Sequence, residues 1–214
     1  SLSYGIHSDK ITVIPNGVDT IKFNPINTQK IKAKSELQLN GKFVLVFHGS
    51  LDYGPNRDAV IKINNFILTQ LIKNIPNAFF LIIGRNPPSI PHDRLFLKFT
   101  GFVPNLVKYL AASDVAIVPI LWGGGTKLKL LQYLAMGIPI VDTRKAVEGL
   151  PGQNNEHVLL SDDVDHEFVK NILALYNDET LGQKLSKNGR KLAEKYDWKS
   201  ICKKLVHLYK RLSN

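Results

Sequence analysis

The chain has 214 residues, 44% of them apolar, which is enough for one sizeable α/β domain with a full core. Its apolar runs, of which Ala78 to Ile83 is typical, fall far short of the roughly 18 residues that cross a bilayer as a helix. The net charge of +10 is spread over many segments, which speaks against a nucleic-acid partner and leaves an anionic substrate or a lysine-rich surface to explain it.

Strand and helix signals alternate along the chain. Lys10 to Ile14 reads as a short strand that ends in the turn Pro15-Asn16-Gly17. Residues 28–38 read as a helix, and Lys42 to His48 as a buried strand. A helix starts at Asn56, with Val60, Ile63, Ile67 and Leu71 on its apolar face. Ala78 to Ile83 and Leu97 to Thr100 read as strands, and Pro104 opens a helix where its missing N–H costs nothing. Val115 to Pro119 is a strand, Thr126 to Ala135 a helix, Ile138 to Val141 a strand and His157 to Leu160 the last strand. Three amphipathic helices close the chain. Their apolar positions are Val164, Phe168, Ile172 and Leu175, then Leu181, Leu185 and Leu192, then Ile201, Leu205, Leu208 and Leu212. This alternation predicts an α/β fold with a doubly wound parallel sheet, Rossmann-like, whose ligands bind outside the carboxyl ends of the strands.

One of those strand ends stands out. Val115 to Leu121 runs into Trp122-Gly123-Gly124-Gly125-Thr126-Lys127-Leu128-Lys129 and then a helix. Glycines let the backbone turn sharply and let a ligand approach closely. The helix start presents unpaired N–H groups and a positive dipole end, and Lys127 and Lys129 add charge. A nucleoside diphosphate is the natural guest. The six histidines show no helical metal-ligand spacing and no acidic pair closes a strand, so no metal is expected. The single Cys202 cannot form an internal disulfide, which fits a reducing, cytoplasmic compartment.

The order of these segments resembles the carboxyl-terminal, donor-binding domain of GT-B glycosyltransferases, specifically the retaining group 1 enzymes. Four pieces carry the resemblance: Pro15-Asn16-Gly17-Val18-Asp19, Gly84-Arg85-Asn86-Pro87-Pro88, Gly101-Phe102-Val103-Pro104, and Ala135-Met136-Gly137-Ile138-Pro139-Ile140-Val141. The resemblance extends to Tyr196-Asp197-Trp198 before the final helix. It implies an interdomain linker over residues 1–25, a nucleotide-sugar-binding domain over 26–197 and a carboxyl-terminal helix over 198–214.

The family's two site glutamates align with Gly124 and Gln132, so both are replaced. In the family the first glutamate contacts the donor sugar and the second the ribose hydroxyls. Gln132 keeps an amide that can hydrogen-bond a ribose. The chain is similar to a subset with a Gly-Gly-Gly-Thr-Arg/Lys-Leu-Lys loop and a Tyr-x-Pro-Asn segment, here Tyr53-Gly54-Pro55-Asn56. Many family members place an Arg and a Lys after the first strand of this domain to hold the diphosphate. Here Lys127 would supply that charge, with Lys129 or Arg85 adding to it.

The resemblance thus implies a donor site of Gly49, Ser50, Arg85, Phe102, Val103, Gly123, Gly124, Gly125, Thr126, Lys127, Lys129 and Gln132, with the backbone of Phe102 and Val103 meeting the base. The expected activity is transfer of a hexose from a nucleoside-diphosphate sugar to an acceptor glycan or lipid in polysaccharide biosynthesis, without a metal. The expected partner is an amino-terminal acceptor-binding domain, since the chain opens at Ser1 as a piece of a longer polypeptide or a split-gene product would. The lysines around the last helix add a peripheral contact with the inner membrane face as an expectation. Two alternatives stand beside this: a GT-B-like binding or regulatory module that lost catalysis, and another GT-B enzyme such as a sugar-nucleotide epimerase.

Overall fold

A computed structural model of the chain describes residues 5–213 apart from 6, 8, 9, 28, 126, 127 and 151. Six parallel strands form one sheet: β1 (Phe43–His48), β2 (Ala78–Ile83), β3 (Leu97–Phe99), β4 (Val115–Val118), β5 (Ile140–Thr143) and β6 (Leu159–Ser161). Their spatial order is β3-β2-β1-β4-β5-β6. All of β2 and β4, and all of β1 but its first residue, are buried, as a sheet covered on both faces requires. Side chains such as Phe47, Phe80 and Leu45 are fully buried, each worth roughly 1.5–3 kcal/mol of transfer free energy.

The helices are α1 (Lys30–Glu36), α2 (Gly54–Lys62), α3 (Leu68–Leu71), α4 (Leu106–Ala111), α5 (Leu128–Ala135), α6 (His166–Asn177), α7 (Glu179–Lys195) and α8 (Trp198–Leu212). The β1-to-β2 crossover runs one way along the sheet and β4-to-β5 the other. With right-handed crossovers, α2 and α5 therefore cover opposite faces. A π-helical stretch, Ile63–Ile67, joins α2 to α3 without a break. The last three helices each begin on an aspartate cap: Asp165, Asp178 and Asp197 accept backbone N–H bonds at the starts of α6, α7 and α8. Against α7, α5 packs closely enough that a Cβ on Gly189 would meet Leu134 at 2.8 Å.

Several boundaries differ from expectation. Lys10 to Ile14 is not a strand: Val13 is exposed, and residues 12–14 lie along α8 beside Lys203, His207 and Leu208 instead of beside a sheet edge. The period-two apolar pattern there had no strand to join. The helix near Pro104 starts two residues later, because Asn105 supplies the cap by accepting from the Lys108 N–H. Pro55, with no N–H to lose, lies in the first turn of α2, so that helix opens earlier, at Gly54. The last two strands lie one or two residues farther along than expected.

The opening segment docks on the start of α8. The Val18 N–H donates to the Tyr196 carbonyl at 2.9 Å and the Trp198 N–H to the Val18 carbonyl at 3.1 Å. A Cβ on Gly17 would lie 2.7 Å from the Trp198 ring, so the Asn-Gly-Val piece and the Tyr-Asp-Trp piece are two sides of one contact. Arg190 fastens it further, donating to the carbonyls of Phe23 at 2.7 Å, Ala135 at 2.6 Å and Thr20 at 3.1 Å.

Candidate donor site at the strand crest

The strand order reverses between β1 and β4, and the crevice at such a switch point is where doubly wound sheets bind ligands. The three strands on one side of it, β1, β2 and β3, run into glycine. The Gly49 N–H donates to Ile83 O at 2.9 Å, and the Gly84 N–H to Gly101 O at 3.1 Å, so the ladder carries Gly49, Gly84 and Gly101 side by side. A Cβ on Gly84 would lie 1.8 Å from the Gly49 carbonyl oxygen, which only glycine permits.

Across the switch point, the glycine loop after β4 leans on the turn after β1. The Trp122 ring covers Gly54, where a Cβ would approach Cη2 at 2.6 Å, and its Nε1 donates to Asp58 Oδ2 at 3.2 Å. Gly123 has φ 99°, and a Cβ there would meet Pro55 at 2.7 Å and the Tyr53 hydroxyl at 3.0 Å. Gly124 and Gly125 are exposed, with open space where a Cβ would point. Thr126 and Lys127 lie outside the described residues.

Lys129 is buried, not splayed over a helix surface. Its Nζ donates to Asn56 Oδ1 at 2.7 Å and sits 4.0 Å from the centre of the Phe47 ring. Gln132, one turn farther along α5 and on the same face, is half-buried. The Ser50 hydroxyl donates to Asp52 Oδ1 at 2.7 Å, so its side chain is engaged within the loop. Asp52 also accepts from Asn86 at 3.0 Å, and the Ser50 and Asn86 bonds hold its carboxyl below the usual carboxylate range. Arg85 and Phe102 are exposed, and Val103 is buried.

Under the crest lies a polar group of residues that the sequence did not single out together. The His48 N–H donates to the Tyr133 hydroxyl at 2.9 Å, and the two rings meet edge to face at 4.9 Å. Burial, and then the Lys129 charge, lower the His48 imidazole to about 3, so it is neutral. Its Nε2 has no hydrogen-bond partner among the described residues. Burial pushes the Tyr133 hydroxyl up, with Asp142 adding to the rise. Asp142 is itself fully buried and accepts from the Thr143 N–H at 2.8 Å.

Among the described residues no three His, Cys, Asp or Glu side chains gather in a metal-binding group, and no helix is long and apolar enough to cross a membrane. A groove of 810 Å³ lies away from the crest, at the amino ends of the strands around Asp114, Glu179 and Arg190. The crest itself is an open ledge.

Residues 42–178 match the family model described as glycosyl transferases group 1. A curated relative, the UDP-Gal:alpha-D-GlcNAc-diphosphoundecaprenol alpha-1,3-galactosyltransferase of Escherichia coli, is 29% identical over 201 residues, covering 85% of this chain and 49% of its own length. The chain thus spans about half of that relative. Among solved structures, a glycosyltransferase from Rickettsia africae superposes with a TM-score of 0.80 at 16% identity, covering 99% of this chain and 59% of that one. Anabaena Alr3699/HepE in complex with UDP superposes at 0.79 and 16%, covering 98% and 60%. The six-stranded sheet is the Rossmann-like fold of GT-B glycosyltransferases, and the chain belongs to the group 1 glycosyl transferase family.

Proposed function

We propose that the chain is the donor-binding half of a glycosyltransferase that moves a hexose from UDP to a glycan or lipid-linked acceptor. The observation that carries this reading is the packing of the glycine loop, through Trp122 and Gly123, on the Tyr53-Gly54-Pro55 turn across the switch point, with the Lys129 ammonium buried against Asn56 and Gly49. The diphosphate would lie on this ledge over Gly49 and the exposed Gly124-Gly125 backbone, held by the Ser50 N–H and by Lys127 and Lys129. Gln132 would meet the ribose. The backbone of Phe102 and Val103 would meet the base, and Arg85 would add charge for the diphosphate. The choice of UDP is supported by the galactosyltransferase relative and by the UDP complex of the Anabaena protein.

In this reading the bond between the anomeric carbon and the β-phosphate oxygen breaks, and negative charge grows on the leaving diphosphate. Fixed N–H donors and lysines stabilise that charge without a metal. The acceptor would bind on an amino-terminal domain facing the ledge, and the basic α8 would lie near a membrane that carries a lipid-linked acceptor.

Amide hydrogen exchange with and without UDP tests the placement. Protection is expected over residues 49–51, 84–86 and 123–129. Protection confined to the groove around Asp114 and Arg190 would overturn it.

A further inference from the structure

Asn56 belongs to none of the donor-binding positions named above, yet it joins both sides of the crevice. It lies in the first turn of α2 on one face of the sheet, with its N–H bonded to the Tyr53 carbonyl at 2.9 Å. Lys129 belongs to α5 on the opposite face. For Nζ to reach Asn56 Oδ1 at 2.7 Å, the lysine stem must pass from one face to the other over the sheet crest, beside Phe47. The other end of the same amide is also used: Asn56 Nδ2 donates to the Ser50 carbonyl at 2.8 Å. Gly49 lies directly against this pair, since a Cβ there would meet Asn56 Nδ2 at 2.7 Å and Lys129 Nζ at 3.0 Å.

We infer that Asn56 is a positioning residue for the donor diphosphate, acting through Lys129 and the Ser50 peptide. The inference rests on the donor-site reading above and deepens it. An amide suits the place for two reasons. It accepts from the ammonium without adding a countercharge of its own, which an aspartate would do. It also draws the Ser50 carbonyl down onto a buried donor, so that this oxygen does not face an anion on the ledge. The site's charge is then held in a poorly screened place under Gly49, instead of at the tip of a solvated lysine. This is an alternative to the Arg and Lys that many family members place after the same strand.

The test is UDP and uridine binding to the 214-residue chain by calorimetry, with Asn56→Asp, Asn56→Ala, Lys129→Met and the double variant Asn56→Asp/Lys129→Met. Asn56→Asp should weaken UDP by about tenfold or more and uridine by less than about twofold, because a charge-assisted phosphate contact is worth that much. Asn56→Ala should show the same selectivity, and it keeps the test alive if the aspartate variant does not fold. In the Lys129→Met background Asn56→Asp should add little, because the two act as one unit. A UDP affinity unchanged in the Asn56 variants, an equal loss for UDP and uridine, or additive losses in the double variant would overturn the role of Asn56. If the parent chain bound neither UDP nor GDP, the donor-site reading itself would fall, and this inference with it.

Discussion

Gly84 and Gly49 touch across the β1–β2 ladder: a Cβ on Gly84 would stand 1.8 Å from the Gly49 carbonyl oxygen. The backbone of one strand end therefore dictates the residue at the other, and together they set the height of the ledge on which the diphosphate is proposed to lie. Gly84→Ala should cost at least about 2 kcal/mol in urea denaturation, because the clash is with main chain that cannot swing away. Stability within about 0.5 kcal/mol of the parent would mean that the two loops separate freely.

Gly124 makes the opposite prediction. Nothing lies within 4 Å of where its Cβ would point, so Gly124→Ala should leave stability within about 0.5 kcal/mol. If a ligand phosphate approaches this backbone, the same methyl group should weaken UDP binding. A variant with unchanged stability and unchanged UDP affinity would remove Gly124 from the site.

His48 should give the chain an acid-sensitive stability. Its folded value of about 3 lies below the unfolded value near 6.5. Between those limits the unfolded chain binds a proton that the folded chain refuses. Stability from this group is full above about pH 6.5 and falls by about 1.4 kcal/mol per pH unit as the pH drops towards 3. Between pH 7 and pH 5, His48→Gln should lose about 2 kcal/mol less than the parent in urea denaturation. Identical pH profiles would show that His48 is not buried neutral.

Much of this was legible in the sequence, and what was not has a physical cause. Buried parallel strands such as Ala78–Ile83 are continuous apolar runs, and strand-end glycines mark the crest, so fold and ledge could be read locally. The burial of Lys129 could not. Its partner Asn56 is 73 residues away, and four positions after the last glycine of a loop a lysine reads as a solvated helix residue. Asn56 did carry a signal, as part of Tyr53-Gly54-Pro55-Asn56, but not what it would touch. The Lys10 to Ile14 segment erred the other way: its local pattern was strand-like, and only the sheet's full topology shows that no edge receives it.

Asp197 should matter to the join between the opening segment and α8. It accepts from Thr20 Oγ1 at 2.5 Å and from the Lys199 N–H at 2.8 Å, so it caps the helix and holds the segment together. Asp197→Ala should cost about 1–2 kcal/mol and raise the rate of proteolysis around residues 10–20. Unchanged cleavage there would show that the Val18–Trp198 contact holds without it.

The central claim is that the chain holds a nucleoside diphosphate on its glycine ledge by backbone donors and lysine charge. Titration of the 214-residue chain with UDP and with uridine, each with EDTA and with added Mg²⁺ or Mn²⁺, tests it most directly. UDP should bind in the micromolar-to-millimolar range, roughly −8 to −4 kcal/mol. Uridine should bind more weakly. Lys127→Ala should weaken UDP much more than uridine, and EDTA should change neither. No binding of UDP or GDP at millimolar concentration, or UDP binding that EDTA abolishes and Mn²⁺ restores, would contradict the account.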